Sequence, residues 1–488
     1  MRANHFSDNM SSQSSLRKNA VLNTIKQICT IIYPIITFPY ISRVLGKYYY
    51  GKVNFSNSIV SYILMIAALG ITNYSIREGS RIKDDRKELQ KFCNQIFSIN
   101  ICSMIVAYIV LFLLICFWKR LDGYTLLLLI QASTVLFNTI GTDWINSIFE
   151  DYEFITIRYI ICQGIAVVLM LLLVHSKSDY LLYAVTCSIG TILANIMNVT
   201  YIRKHYDLHP RLTLHMDLHR NMKPIFMLFG SAIATTIYVN SDITILGLLK
   251  NESEVGLYTV SSKFYTMLKQ MLNASLTVAV PRISHERDSV KPQTLNRHLS
   301  QIIGSLIIFS FPISAGLFSL SRNIIVLFSG VEYEMAFTSL QILSISIIFA
   351  TMASFFINVI MISFGMETQV LFATMFSALI NIVLNFVLIP AFGQNAAAFT
   401  TLLSEISIFC LGIFYTRKKV KISIRRNVVI AATEFAAVMV ICAGIRHFLS
   451  SNNLMTIFLC VILCAAACLG ILFCLDKDDV KKLIHFRK

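Results

Sequence analysis

Seven ionisable residues stand where water should be scarce: Lys26, Asp143, Asp242, Lys263, Lys269, Glu405 and Glu434 all fall inside long apolar stretches. Facing lipid, each would cost about 2.5–3.5 kcal/mol on insertion scales. Most must therefore face a wet cavity or an opposite charge. Polar neighbours accompany them at helical spacing. Asn23, Lys26, Gln27, Thr30, Tyr33 and Thr37 recur at steps of three and four, as do Ser231, Thr235, Tyr238 and Asp242. Steps of that size put a set of side chains on one helix face. Tyr258, Ser262, Tyr265, Lys269 and Asn273 form another stripe, Ser377, Asn381 and Asn385 a third, and Asn138 with Thr142 a short fourth. A lone Ser or Asn in such a stripe commonly just bonds one packed helix to the next. The ionisable members ask for more, and a cavity lined from both halves with cationic side chains such as these lysines suits an anionic substrate.

Other chemistries find no footing. The chain has no GxxxxGK[ST] phosphate loop, so transport is not powered by ATP on this chain, and no GxSxG nucleophile turn. His205 with His209, and His215 with His219, have the i, i+4 spacing of metal ligands, but Pro210 separates the pairs and no HExxH motif is present. They read as incidental. No metal, cofactor or covalent catalysis is expected.

The elements that hold these residues follow from composition. Of 488 residues, 56% are hydrophobic and only 14% charged, and mean hydropathy is +0.67. Soluble domains carry about a quarter charged residues, so a soluble enzyme, a disordered chain and an ordinary nucleic-acid binder are excluded. The twelve Cys lie in or at the ends of apolar stretches and read as small hydrophobes, not as a disulfide framework. Apolar runs of about 20 residues, enough to cross ~30 Å of hydrocarbon, number fourteen: 20–42, 53–76, 92–117, 121–147, 154–174, 179–202, 223–249, 256–281, 299–320, 335–363, 366–390, 394–416, 427–448 and 453–475. The expected fold is all-α and integral to a membrane. The first 15 residues read as a floppy polar tail without the apolar core of a signal peptide.

Lys and Arg set the orientation. With the N-terminus cytoplasmic, inside loops carry 29 basic residues and outside loops 9, so both termini are expected inside and the +16 formal charge is mainly a topology signal. An internal repeat is also visible. Adding 205 to Lys26, Thr30, Tyr33 and Thr37 gives Ser231, Thr235, Tyr238 and Asp242, and the same offset takes Gly51 to Gly256. Six spans per copy make two parallel lobes. The expected organisation is a tail over 1–18, an N-lobe over 19–202, a linker over 203–222 and a C-lobe over 223–416. Two accessory helices over 427–475 and a basic tail over 476–488 complete it.

The run Pro39-Tyr-Ile-Ser42-Arg43-Val-Leu45-Gly46 followed by Tyr50-Gly51-Lys-Val-Asn54-Phe resembles the start of the Wzx-type polysaccharide flippases. These belong to the multidrug/oligosaccharidyl-lipid/polysaccharide exporter superfamily. Similar stretches follow in order: Leu69-Gly70-Ile71 with Tyr74 and Arg77-Glu78, Asp143-Trp144, Ile155-Thr156-Ile157-Arg158, Tyr238-Val-Asn240-Ser-Asp242, and Glu254-Val-Gly256-Leu-Tyr258. The resemblance runs from residue 17 to about 475. One departure is Phe149-Glu150-Asp151-Tyr152-Glu153, which lacks the Gln-Gly pair often found after the fourth helix in that family.

The resemblance implies a non-enzymatic, MATE-like fold in the bacterial inner membrane. It would move an undecaprenyl-diphosphate-linked oligosaccharide across that membrane for O-antigen, capsule or exopolysaccharide synthesis. It implies alternating access driven by an H+ or Na+ gradient, with the polymerase and chain-length regulator of the pathway as partners. On that reading Lys26, Arg43, Lys263 and Lys269, with Tyr33 and Thr37, line the cavity and neutralise diphosphate or acidic sugar. Asp143, Asp242 and Glu405 are the ion-coupling candidates; the two aspartates would either bind the coupling cation or pair with those bases. The runner-up is a MATE-like small-molecule exporter, which should favour an acidic cavity. A membrane enzyme such as a repeat-unit polymerase is disfavoured because no large outside loop is present.

Overall fold

The computed structural model describes residues 2–449 and 453–475, with the backbone alone at 2–21, 23, 24, 31, 277, 278 and 288. Every expected span falls on helix, and no strand occurs among the described residues. In chain order the helices are α1 (Arg2–Ala68), α2 (Ile71–Gly79), α3 (Arg86–Phe117), α4 (Thr125–Gly141), α5 (Trp144–Ile148), α6 (Tyr152–Leu173), α7 (Tyr180–His205) and α8 (Leu218–Leu249). There follow α9 (Glu252–Ser289), α10 (Pro292–Ser329), α11 (Phe337–Ser354), α12 (Glu367–Phe392), α13 (Gln394–Thr416), α14 (Arg425–Phe448) and α15 (Asn453–Leu475). The basic tail expected over 476–488 lies outside the described residues.

Eleven helices are long and apolar enough to cross a membrane, and the difference from fourteen has three sources. The first two expected spans merge into one stretch, Ile25–Gly79, because the chain between them stays helical. Only Gly46 departs, at φ 68° and ψ 169°, a conformation open to glycine. The fourth span is carried by α4, which is 17 residues long. The eighth, α9, is too rich in polar residues to meet the criterion. The N-terminal tail also differs: α1 begins at Arg2, since neither Pro nor Gly interrupts the chain before Pro34. The protein is a multi-pass membrane protein. Side chains such as Phe112, Leu172 and Val387, each more than half exposed, form the surface that lipid must cover.

The helices begin and end on local chemistry. Asp85 caps α3 by accepting from the N–H groups of Lys87 and Glu88, and Asn251 caps α9 through Glu254. Gly330 and Gly393 close α10 and α12 at positive φ.

The chain divides into two compact units, residues 1–45 with 52–240, and residues 46–51 with 241–488. The break falls inside α8 and not in the 203–222 loop, because α8 continues unbroken past that loop. In the first unit α4 and α6 both pack on α7, and the core gathers around Trp144, Ile96 and Ile148. In the second, α10 holds α11 and α14, α13 lies between α11 and α12, and α15 covers α14 and α10. The two C-terminal helices are thus bound into this unit through α10. Within it, the segment 46–51 crosses the start of α9 without side chains between the backbones. A Cβ on Gly51 would lie 1.7 Å from the Glu252 carbonyl oxygen, and one on Gly256 would lie 2.0 Å from that of Lys47. Lys47 and Glu252 are separated by the same 205 positions as Gly51 and Gly256, so the crossing is reciprocal under the repeat offset.

Candidate functional site

In the first unit the charged group forms where α6 meets α1. The Thr156 hydroxyl donates to the carbonyl of Leu22 over 3.1 Å, which brings Arg158 and Lys26 to the same level. The chain turns sharply after α4, with Thr142 at φ 46°, and Asp143 then starts the short helix α5. Arg158 donates through Nη2 to the Asp143 carboxylate and lies over the Phe154 ring, 5.3 Å from its centroid. Asp143 and Arg158 both act electrostatically on Lys26. Two positive charges thus share one negative charge.

Arg158 is 6% exposed, and its Nε and Nη1 have no hydrogen-bond partner among the described residues. An ion-paired guanidinium with two buried N–H groups that no described residue uses can still donate to a further anion, a carboxylate or a phosphate. Arg158 is not among the residues that the sequence singles out for the cavity; its place two residues after Thr156 in the resembling stretch is the available signal. Asp143 is half exposed and is spent on this pair.

The other α1 candidates separate from the cluster. The Thr37 hydroxyl donates to the Tyr33 carbonyl over 3.1 Å, an intrahelical bond, and Thr37 is buried while Tyr33 is half-buried. Arg43 is exposed, 17 residues beyond Lys26, roughly 25 Å along a helix.

The second unit holds two acidic centres of different character. Asp242, buried on α8, accepts four hydrogen bonds from neutral groups. Asn381 and Asn385 of α12 donate to Oδ1 over 3.0 and 2.6 Å, and Tyr258 and Thr401 donate to Oδ2 over 2.5 and 2.6 Å. Ser241 and Thr400 bond the two amide oxygens and hold the amides in place. No ion-pair partner of Asp242 occurs among the described residues. Three stripes singled out in the sequence therefore converge on one carboxylate.

Lys269 and Glu405 were expected in different roles, one on the substrate and one on an ion. Instead they bond to each other, Nζ to Oε1 over 2.5 Å, and the Tyr265 hydroxyl donates to the same oxygen over 2.6 Å. Glu405 is 2% exposed, so Lys269 is the counter-charge that lets it stay there. Lys263 is half-buried six residues earlier on α9, on another face.

The remaining motifs resolve locally. The chain from 207 to 217 is not helical, so neither histidine pair shares a helix face. Asp151, in the segment that departs from the resembling family, caps α6 through the Phe154 N–H and accepts from the Tyr201 and Tyr206 hydroxyls over 2.6 and 2.8 Å. All twelve cysteines are free thiols.

Comparison with known proteins gives two family matches. Residues 16–287 match the family described as polysaccharide biosynthesis protein, and residues 161–465 match that of the lipid II flippase MurJ. Two curated relatives are provisionally named O-antigen transporters. One, from Escherichia coli (strain K12), is 21% identical over 83% of this chain and 97% of its own length. The other, from Shigella dysenteriae, is 22% identical over 67% and 81%. Among solved structures, the lipid II flippase MurJ in an inward closed conformation superposes with a TM-score of 0.76 at 15% identity, over 95% of this chain and 99% of that one. An inward-facing multidrug resistance MATE family transporter of the MOP superfamily gives 0.58 at 12% identity, over 80% and 98%.

Proposed function

The chain belongs to the polysaccharide biosynthesis protein family, Wzx-type flippases of the MOP superfamily, and from that premise we propose that it carries undecaprenyl-diphosphate-linked oligosaccharide units across the bacterial inner membrane. The units then feed O-antigen, capsule or exopolysaccharide assembly, where the pathway's polymerase and chain-length regulator act as partners. Both termini are cytoplasmic on this reading, and no covalent step is involved. The observation that carries it is Arg158: a guanidinium buried in a membrane-spanning chain, with two N–H groups that no described residue uses and Lys26 within electrostatic reach. A diphosphate supplies the oxygens that such a fork accepts. Lys26 adds a point charge, and Asp143 keeps the fork oriented while the site is empty.

The driving ion is assigned to Asp242. A buried carboxylate met, among the described residues, by neutral donors and by no base is a place where a coupling cation can bind. Beside it, the Tyr258 and Thr401 hydroxyl oxygens are hard donors of the kind such a cation prefers. Asp143 and Glu405, each already bonded to a base, do not have that freedom. Lys269 is by the same token withdrawn from the substrate.

The test is the leaflet on which lipid-linked units accumulate in a strain lacking the gene. Build-up on the cytoplasmic leaflet, relieved by the wild-type gene but not by Arg158→Gln, supports the reading. Outward translocation that continues without the gene would overturn it and favour the small-molecule exporter. In vesicles, flipping that follows a Na+ or H+ gradient and is lost with Asp242→Asn supports the coupling site.

A further inference from the structure

Glu434 lies ten residues into α14, about 14 Å from the helix start and so deep in any hydrocarbon layer the helix crosses. It is fully buried, and among the described residues neither carboxylate oxygen has a hydrogen-bond partner. It is one of the seven ionisable residues in apolar stretches, and the structure puts it in the wall of a groove of about 550 Å³. α10 contributes Pro312 and Gly316 to this groove, α14 contributes Val438, and α15 contributes Cys464 and Leu469. Apart from the carboxylate, the lining is carbon and sulfur. Val461 and Leu469, which also line it, are 59% and 58% exposed, so the groove reaches the outer face of α15. A buried polar group left unbonded is costly, and Glu434 is the ionisable residue among those that line the groove, its oxygens just behind the wall.

We propose that this groove binds a lipophilic amine, its alkyl chain on the apolar wall and its single amino group on Glu434. The walls offer nothing to a sugar, a phosphate or any extended polar head. An anion would be repelled by the carboxylate, and a plain hydrocarbon would leave both oxygens as they are. An amine supplies the missing donors and, whichever partner holds the proton, forms a bond that low polarity strengthens. A membrane-permeant base also reaches such depth from the lipid, whereas a fixed cation would not. The volume falls in the range of small-ligand sites. This occupant is distinct from the flippase substrate and does not depend on it.

The experiment measures radiolabelled dodecylamine bound to the full chain in phosphatidylcholine nanodiscs, against empty discs, with dodecanol as the isosteric competitor. Saturable binding is expected, weakened at least tenfold by Glu434→Gln, with dodecanol competing at least tenfold less well than unlabelled amine. Gly316→Phe gives an independent check: a Cβ there meets no atom within 4 Å, so the ring enters the groove and blocks binding while Glu434 stays. Amine and alcohol competing equally, or binding no greater than in empty discs, would overturn the proposal. So would full binding in either variant. Should Glu434→Gln not fold, Gly316→Phe and the alcohol comparison decide it.

Discussion

Lys269 and Glu405, 136 residues apart, close an ion pair between α9 and α13 that Tyr265 completes from the same side. The pair is a matched burial of opposite charges, and its value lies in neutrality more than in attraction. Lys269→Met should strand the carboxylate and cost about 3–5 kcal/mol, read as a lowered thermal midpoint of the purified protein. The double variant Lys269→Met with Glu405→Met should recover most of that loss. A double variant as unstable as the single would assign Glu405 a task beyond neutrality.

Asp242 should behave differently. Asp242→Asn keeps the size of the side chain, and the surrounding hydroxyls of Tyr258 and Thr401 can turn to accept from the new amide. The variant should therefore fold with a midpoint close to wild type and lose the stabilisation that added Na+ gives. Thr401→Val, which removes one donor, should weaken that response several-fold. A cation response unchanged in both would remove Asp242 as the coupling residue.

The crossing of Gly51 and Gly256 makes a structural prediction with no charge in it. Gly51→Ala places a methyl 1.7 Å from the Glu252 carbonyl oxygen, and backbone cannot turn aside as a side chain can. The cost should reach or exceed the upper end of the roughly 1–3 kcal/mol usual for overpacking. Low yield of folded protein by size-exclusion fluorescence is the readout, and Gly316→Ala, in open space, is the control that should not change it.

Asp151 carries an acid-side pH dependence. Burial works to raise its pKa, but the hydroxyls of Tyr201 and Tyr206 and the Phe154 N–H outweigh it and hold the carboxyl below its ordinary value. A depressed carboxyl contributes its stability above the unfolded value, near pH 4, and loses it as pH falls through the folded value. Melting curves should show Asp151→Asn less stable than wild type at pH 6, with the gap narrowing below about pH 4. A constant gap down to pH 3 would assign the loss to shape alone.

Much of this architecture is readable before folding. The apolar runs give the helices, and the stripes give the faces that turn inward, including Tyr258, Asn381 and Asn385. What the stripes do not give is which face meets which. Lys269 and Glu405 each look like solitary functional charges until α9 and α13 are placed side by side, and no local rule spans 136 residues. The continuity of α1 through residues 47–52 was hidden for a similar reason. Basic and aromatic residues there read as a loop, while a single glycine absorbs the bend and the helix goes on. Arg158 escaped because proximity to a helix end on paper says little about burial once α1 lies beside it.

The glycine crossing also bears on how such a chain can change over generations. Gly51 is held by the backbone at Glu252 and Gly256, and Gly256 by the backbone at Lys47, so no side-chain exchange at one position can be compensated at the other. Everything around them is free to drift, trading one apolar residue for the next. Two positions 205 apart are thereby tied as one unit, so that a change at either is felt at the same backbone crossing.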